Sequence, residues 1–369
     1  MKKVLTVLLA VCLCFSLCAC GSWLDGSYHS VQPHQDDRQE QLQETMTAFS
    51  YRELLSLLCD MVENGQQAGV IDMPGFAENQ LQTLMDQATA YVVQYHPIGA
   101  YVVDKITYEL GTAGSKPALA VSITYVHSRA EILRIKKLPD MDAVGEKIRE
   151  ALANCDAGLI LRVENYEDVD YALLVQDYAE QYPEFCMEIP QISVVTYPQT
   201  GDDRVLELTF SYQTNRDALR TMQSYVRPVF EAAELNVQGE ETQSAKFALM
   251  YSFLMERNEY QLETSITPAY SLLRHGVGDS RAFAIVFAAM CTRADLECQV
   301  VTGTKGGEPW AWNIICEDGV YYYIDLLSEV NEGKLTHLTE ENLQSYVWDY
   351  SAYPEAGGDT QEPTEAEEQ

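Results

Sequence analysis

Basic residues and histidines are scarce in this 369-residue chain: 24 Lys and Arg stand against 56 Asp and Glu, with six histidines. A formal charge of −32 disfavours nucleic acid and anionic lipid surfaces, because those partners need cations to displace counterions. No Cys-x-x-Cys pair occurs, so a structural zinc site is not expected. His, Asp and Glu form no ligand-spaced cluster either, so no metal and no other cofactor is implied. Gly-x-Ser-x-Gly is missing, since Ala282 stands where the last Gly would be. Gly303-Thr304-Lys305-Gly306-Gly307 lacks the spacing of a phosphate loop and reads as a hairpin turn. Beyond residue 20 no run approaches the ~20 apolar residues of a membrane span.

What is present begins with Lys2 and Lys3, followed by an apolar run from Val4 to Leu17. A charged start and a short hydrophobic stretch make an export signal. The run ends in Leu17-Cys18-Ala19-Cys20, which resembles a bacterial lipobox. That resemblance implies cleavage before Cys20, lipid on its thiol, and anchorage on the extracytoplasmic face of a cell membrane. An ordinary signal peptide cut near the same point is the alternative. Losing residues 1–19 removes two lysines and no acid, which takes the formal charge from −32 to −34. Three of the ten cysteines leave with the signal and Cys20 is acylated. The remaining six, Cys59, Cys155, Cys186, Cys291, Cys298 and Cys316, read as small buried hydrophobes, with a Cys291–Cys298 bridge left open.

With 47% hydrophobic residues the chain can build real cores, and its length suggests two or three domains of α+β class. Residues 20–46, rich in Ser, Gln, His and Asp, read as a flexible tether. Residues 354–369 hold six acids and no base and read as a disordered tail. Between them lies an apparent internal repeat. At an offset of 87 residues, Gln94-Tyr95 meets Gln181-Tyr182, Tyr125 meets Tyr212, and Arg129 meets Arg216. In each copy a helix ends at the Gln-Tyr pair. An alternating strand follows (100–108; 187–197), then a turn with Gly (111–116; 201–203) and a second strand (118–126; 205–212). A further helix, 142–154 or 216–235, closes each copy. These patterns predict two helix/β-hairpin modules, 47–155 and 156–239. Two unrelated hairpins of similar length would give the same pattern. Neither module carries a chemical motif, so each is a structural spacer or a Tyr-rich binding surface.

The C-terminal part is more specific. Ala269–Ala282 leads into an apolar helix, 283–294, and a strand follows at 297–303. Next come Trp310-Ala311-Trp312-Asn313, then Tyr321-Tyr322-Tyr323-Ile324-Asp325, then Trp348-Asp349-Tyr350 and Tyr353-Pro354. In this order the segments resemble the transglutaminase-like superfamily, a papain-type fold, over residues 240–353. The resemblance implies a catalytic Cys at a helix N-terminus, a His on the following strand, and an Asp at the end of the next. Ser280 stands at the Cys position, Trp310 at the His position, and Asp325 matches. A serine needs a base, and an indole accepts no proton, so the site is expected to be inactive. Past residue 240 the chain has only His275 and His337 to offer.

Gly278-Asp279-Ser280 also looks like the nucleophile block of the GDS-type esterases. The Asp-x-x-His those enzymes need occurs nowhere, and Asp279 and Ser280 suit the N-cap region of the following helix. The expected protein is therefore an inactive, lipid-anchored relative that binds a protein, peptide or cell-wall ligand and no nucleic acid. Trp310 either plugs the former cleft or lines it together with Trp312 and Tyr322. A serine hydrolase or residual acyl transferase using Ser280 is the alternative function.

Overall fold

The computed structural model describes residues 45–113, 116–262 and 267–357. The expected export signal, Cys20 and nearly all of the expected tether and acidic tail lie outside the described residues. The chain is α+β, with three four-stranded sheets and their helices.

The first sheet unit contains β1 (Thr45–Thr47), α1 (Tyr51–Glu63), β2 (Ala68–Asp72), α2 (Glu78–Gln94), α3 (Pro97–Val102), β3 (Val103–Ala113) and β4 (Lys116–Tyr125). Its sheet order is β1-β2-β4-β3, with β1 parallel to β2 and the other pairs antiparallel. The one-turn helix α4 (Arg129–Ile132) follows. The second unit contains β5 (Lys136–Leu138), α5 (Met141–Ala153), β6 (Gly158–Val163), α6 (Tyr171–Gln181), β7 (Gln191–Tyr197) and β8 (Arg204–Ser211). Its order is β5-β6-β8-β7, with the same senses.

The residues matched at an offset of 87 hold like positions. Gln94 and Gln181 end α2 and α6, and Tyr95 and Tyr182 are their C-caps. Arg129 Nε donates to the Asn64 carbonyl at the end of α1 (2.9 Å), and Arg216 Nε donates to the Asn154 carbonyl at the end of α5 (3.1 Å). Each satisfies a carbonyl that a helix C-terminus leaves orphaned. The next residue in each unit, Gly65 or Cys155, is left-handed (φ +59° and +51°).

Three expectations change. The module boundary placed at 155/156 falls instead between α4 and β5. Val144, Ile148, Ala151 and Leu152 of α5 pack in one core with Leu161, Val163, Leu206 and Leu208, so this helix opens the second unit and does not close the first. The strand expected from residue 100 begins at Val103, because Pro97 starts a helical turn that His96 caps by accepting from Gly99 N–H at 3.1 Å. The strand expected at 187–197 begins at Gln191.

A polar joint ties the two units. Arg162 of β6 donates to both Asp203 oxygens (3.0 and 2.8 Å) and to Glu63 of α1 (2.6 Å). His96 Nε2 lies 3.1 Å from the same Glu63 oxygen. Since Nδ1 accepts from Gly99, Nε2 carries the proton and donates.

After β8 comes the 22-residue α7 (Arg216–Val237). Its buried face, Leu219, Val226, Phe230, Ala233 and Val237, shares a core with α8 (Gln243–Met255), α9 (Pro268–His275) and α10 (Ser280–Arg293). The short pair β9 (Glu259–Tyr260) and β10 (Val277–Gly278) lies between these helices. The third sheet contains β11 (Cys298–Lys305), β12 (Glu308–Glu317), β13 (Val320–Ile324) and β14 (Tyr346–Val347), in the order β13-β12-β11-β14, all antiparallel. A helical turn, α11 (Glu340–Leu343), precedes β14. Cys291 and Cys298 are free thiols.

Candidate functional site

Helix α10 is buried along almost its whole length, which explains the apolar run in its sequence. Asp279 is its N-cap, extended in backbone and accepting from Ala282 N–H at 2.9 Å, as such a residue before an apolar helix predicts. Gly278 is required by packing: a Cβ there would come within 2.8 Å of the Ala282 Cβ. Ser280 is the first helical residue, 7% exposed, so its hydroxyl sits at the positive end of the helix dipole.

The Ala-Trp-Asn segment of β12 serves two faces of the sheet. Ala311 N–H donates to Ser280 Oγ at 3.2 Å. Asn313, fully buried, donates through Nδ2 to the Ala284 carbonyl at 2.9 Å and fastens the sheet to α10. Trp310 and Trp312 point to the other face, as alternation along a strand dictates.

Asp325 follows β13 and is 1% exposed. Its Oδ2 accepts from Lys305 Nζ (2.7 Å), Trp310 Nε1 (3.0 Å) and Tyr346 Oη (2.7 Å), and its Oδ1 accepts from Leu327 N–H (3.0 Å). Four donors thus satisfy the hydrogen-bonding capacity of a buried side chain. Burial and the Asp325 charge push the Tyr346 hydroxyl well above its ordinary range, so it remains a donor. Lys305 Nζ lies 5.1 Å from the Trp310 ring centre and 5.0 Å from that of Tyr346. Across the site the Tyr260 ring packs on Trp310 at 5.6 Å.

Ser280, Trp310 and Asp325 thus fall in one cluster: Ser280 holds the backbone beside Trp310, and Trp310 holds Asp325. Among the described residues no imidazole meets Ser280 Oγ. His275 packs edge-on against Tyr270, and His337 stacks on Tyr322 and pairs with Glu317 at 3.4 Å.

Two expected cleft residues stand elsewhere. Trp312 is 1% exposed, edge-on to Tyr346 and Trp348, and is a core residue without a ligand-facing surface. Tyr322 pairs with Ile315, five residues along β12 from Trp310, which is about 17 Å at strand rise. Lys305 and Tyr346 were missed. Lys305 ends β11 beside Gly306 and Gly307, both at positive φ, and the turn-like sequence gives no sign of its partner. Among the described residues no group of three or more His, Cys, Asp or Glu could hold a metal ion.

Residues 231–356 match the family model described as the Transglutaminase-like superfamily. No curated protein matches the chain. Similar solved structures include one described as a TGase (9% identity, TM-score 0.27), which covers 53% of this chain and 59% of its own. Another is named a "Putative Cysteine Protease" from Cytophaga hutchinsonii (13%, 0.26; 43% of this chain and 70% of its own). A third is named a "Putative Protease" from Parabacteroides distasonis (9%, 0.23; 69% of this chain and 39% of its own). This chain therefore spans about three-fifths of the first of these, and no chemistry is carried over from overlaps so partial.

Proposed function

We propose, from the premise that residues 231–356 form a transglutaminase-like domain, that this domain is catalytically inactive and acts by binding or organising components of the bacterial envelope. In this reading the chain is held to the outer face of a membrane by lipid on Cys20. Its ligand is a protein, a peptide or a cell-wall component. The two sheet units are copies of one ancestral module that carry the domain away from the anchor. Their common strand order and the like-placed Arg129 and Arg216 support that descent.

The observation that carries the reading is the bond from Trp310 Nε1 to Asp325 Oδ2 at 3.0 Å. The indole takes the hydrogen bond that would otherwise orient a catalytic imidazole, yet it has no lone pair with which to accept a proton. Trp310 therefore acts as a plug, with Lys305 neutralising the carboxylate behind it.

The test is a fluorophosphonate probe, together with turnover of ester, amide and peptide substrates, on the full chain and on Ser280→Ala. Neither protein should be labelled or turn substrate over above buffer. Labelling at Ser280 that Ser280→Ala abolishes would establish the serine-hydrolase alternative instead. The anchor is tested separately: labelled palmitate should enter the wild-type protein in cells, and Cys20→Ser should stay unlabelled. Palmitate on Cys20→Ser would sink the lipoprotein reading and leave the domain reading untouched.

A further inference from the structure

Among the described residues, the outer edge of β3 has no partner strand. It closes the sheet order β1-β2-β4-β3 and is 11 residues long. Every other edge of the three four-stranded sheets is shorter: β1 and β5 have three residues, β14 two, β13 five and β7 seven. Short edges protect a sheet, because an edge offers a row of free N–H and C=O groups to any extended chain. β7 also runs directly into Pro198, which has no N–H to give a ladder. β3 has neither protection.

Its side chains are patterned about the middle of the strand. Lys105, Thr107 and Glu109 share one face and are exposed, while Ile106 and Tyr108 share the other and pack on the core of the first unit. The Tyr108 hydroxyl donates to Asp86 of α2 at 2.6 Å, which holds the ring on that face. The register with β4 shifts between Val103 and Lys105 and is regular from Lys105 onward. Among the described residues neither Lys105 nor Glu109 has an ion-pair partner. A lone edge lysine repels a chance strand, but here an acid stands four residues from it.

That spacing is self-complementary. When a second β3 lies antiparallel about Thr107, Lys105 faces Glu109 twice, Ile106 faces Tyr108 twice, and Thr107 faces its own copy. Opposite charges, a β-branched residue against an aromatic, and paired threonines are all favourable cross-strand neighbours. Moving the axis to Lys105 or to Glu109 sets like charges against each other, so the register is specified as well. We propose that two copies of this chain join edge to edge through β3, with a two-fold axis at Thr107, into one eight-stranded sheet. The interface is isologous: the same patch serves both partners. Backbone bonds and the Ile106–Tyr108 contacts supply its strength, while the exposed ion pairs fix partner and register. The proposal goes beyond the envelope-binding reading and depends on neither Ser280 nor the lipid anchor.

Sedimentation velocity over a dilution series tests it on the full chain, which should be a dimer at micromolar concentration. Lys105→Glu and Glu109→Lys should each weaken the dimer about tenfold or more with the far-UV spectrum unchanged, since each sets like charges opposite one another twice. Combining the two substitutions restores both pairs with their signs exchanged and should bring the dimer back. Under mild oxidation Thr107→Cys should cross-link to its own copy. Thr112→Cys, about 33 Å from its twin in this register, should not. A monomer at every concentration, or a dimer that both single reversals leave intact, would overturn the proposal. So would failure of the double exchange to recover the dimer, or cross-linking through position 112 in place of 107.

Discussion

The first and second sheet units are built alike through their last strand and part company at the helix that follows. In the first, Arg129 opens a helix of one turn; in the second, Arg216 opens one of 22 residues. The capping bond to the preceding unit's helix end is retained in both. What differs is the face beyond it. From Leu219 to Val237 the longer helix shows apolar residues to α8, α9 and α10 and becomes part of a core that the first unit has no counterpart for. The second unit thus runs into the following domain through one continuous helix. A small mismatch accompanies the difference. The Tyr125 hydroxyl donates to the Met61 and Gln66 carbonyls, whereas the buried Tyr212 hydroxyl, its counterpart, has no hydrogen-bond partner.

This comparison can be broken at three levels. The largest effect is expected from Phe230→Ala, which opens a cavity in the shared core and should cost about 3–5 kcal/mol. Urea unfolding followed by the Trp310, Trp312 and Trp348 fluorescence should report it. If only the second unit loosened, α7 would not be part of the domain's core.

Next comes the joint between the units. Arg162→Ala takes the cation from Glu63 and Asp203, leaving Glu63 its hydrogen bond from His96, and should cost about 2 kcal/mol, less than for a fully buried pair because both acids are partly exposed. The joint is also sensitive to acid. Burial holds His96 below the usual imidazole range, against the pull of the Glu63 carboxylate. Burial would raise Glu63, but the Arg162 hydrogen bond and charge hold it below the usual carboxylate range. Both groups therefore bind protons more readily when unfolded, so their contribution is full above pH ~6.5 and is lost as pH falls. Loss begins below pH ~6.5 for His96 and continues through the carboxylate range for Glu63. In the Arg162→Ala protein the carboxylate part of this slope should shrink, which melting temperatures from pH 7 to pH 4 would reveal.

The smallest effect sharpens the comparison most. Tyr125→Phe should cost about 1 kcal/mol, since the Gln66 carbonyl loses the hydroxyl that donates to it while the Met61 carbonyl keeps the Gln66 N–H. Tyr212→Phe should be neutral or slightly stabilising, because it removes a hydroxyl that burial leaves unsatisfied. Equal costs in chemical denaturation would mean that the two tyrosines do the same thing after all.

The sequence was legible where a residue's role depends on its near neighbours. Asp279 as a cap, the Gln-Tyr helix ends and the turn at Gly306-Gly307 all follow from a few adjacent positions. Ser280, Trp310 and Asp325 converged because the resemblance supplied the long-range arrangement that spacing alone does not. The strand expected at residues 100–102 failed for a physical reason: a short helix buried on all sides shows the same unbroken apolar run as a strand. The strands β2 and β6 escaped notice because each is only five or six residues long and pairs antiparallel with a partner far along the chain. Lys305 was invisible as a site residue for a related reason. Its partner lies 20 residues away across two strands, and nothing in Thr304-Lys305-Gly306 anticipates it.

The crowding at Asp325 has a bearing on reversibility. Three side chains converge on a single carboxylate oxygen, and one of them is a cation. A variant with Cys at 280 and His at 310 would still find that oxygen occupied by Lys305 and Tyr346. Its imidazole would compete with the Lys305 ammonium for that carboxylate. Those two substitutions alone would therefore leave the imidazole without a carboxylate of its own; Lys305 and Tyr346 would have to withdraw as well. Withdrawing Lys305 in turn takes its cation from a buried acid, so each change at this cluster depends on the others.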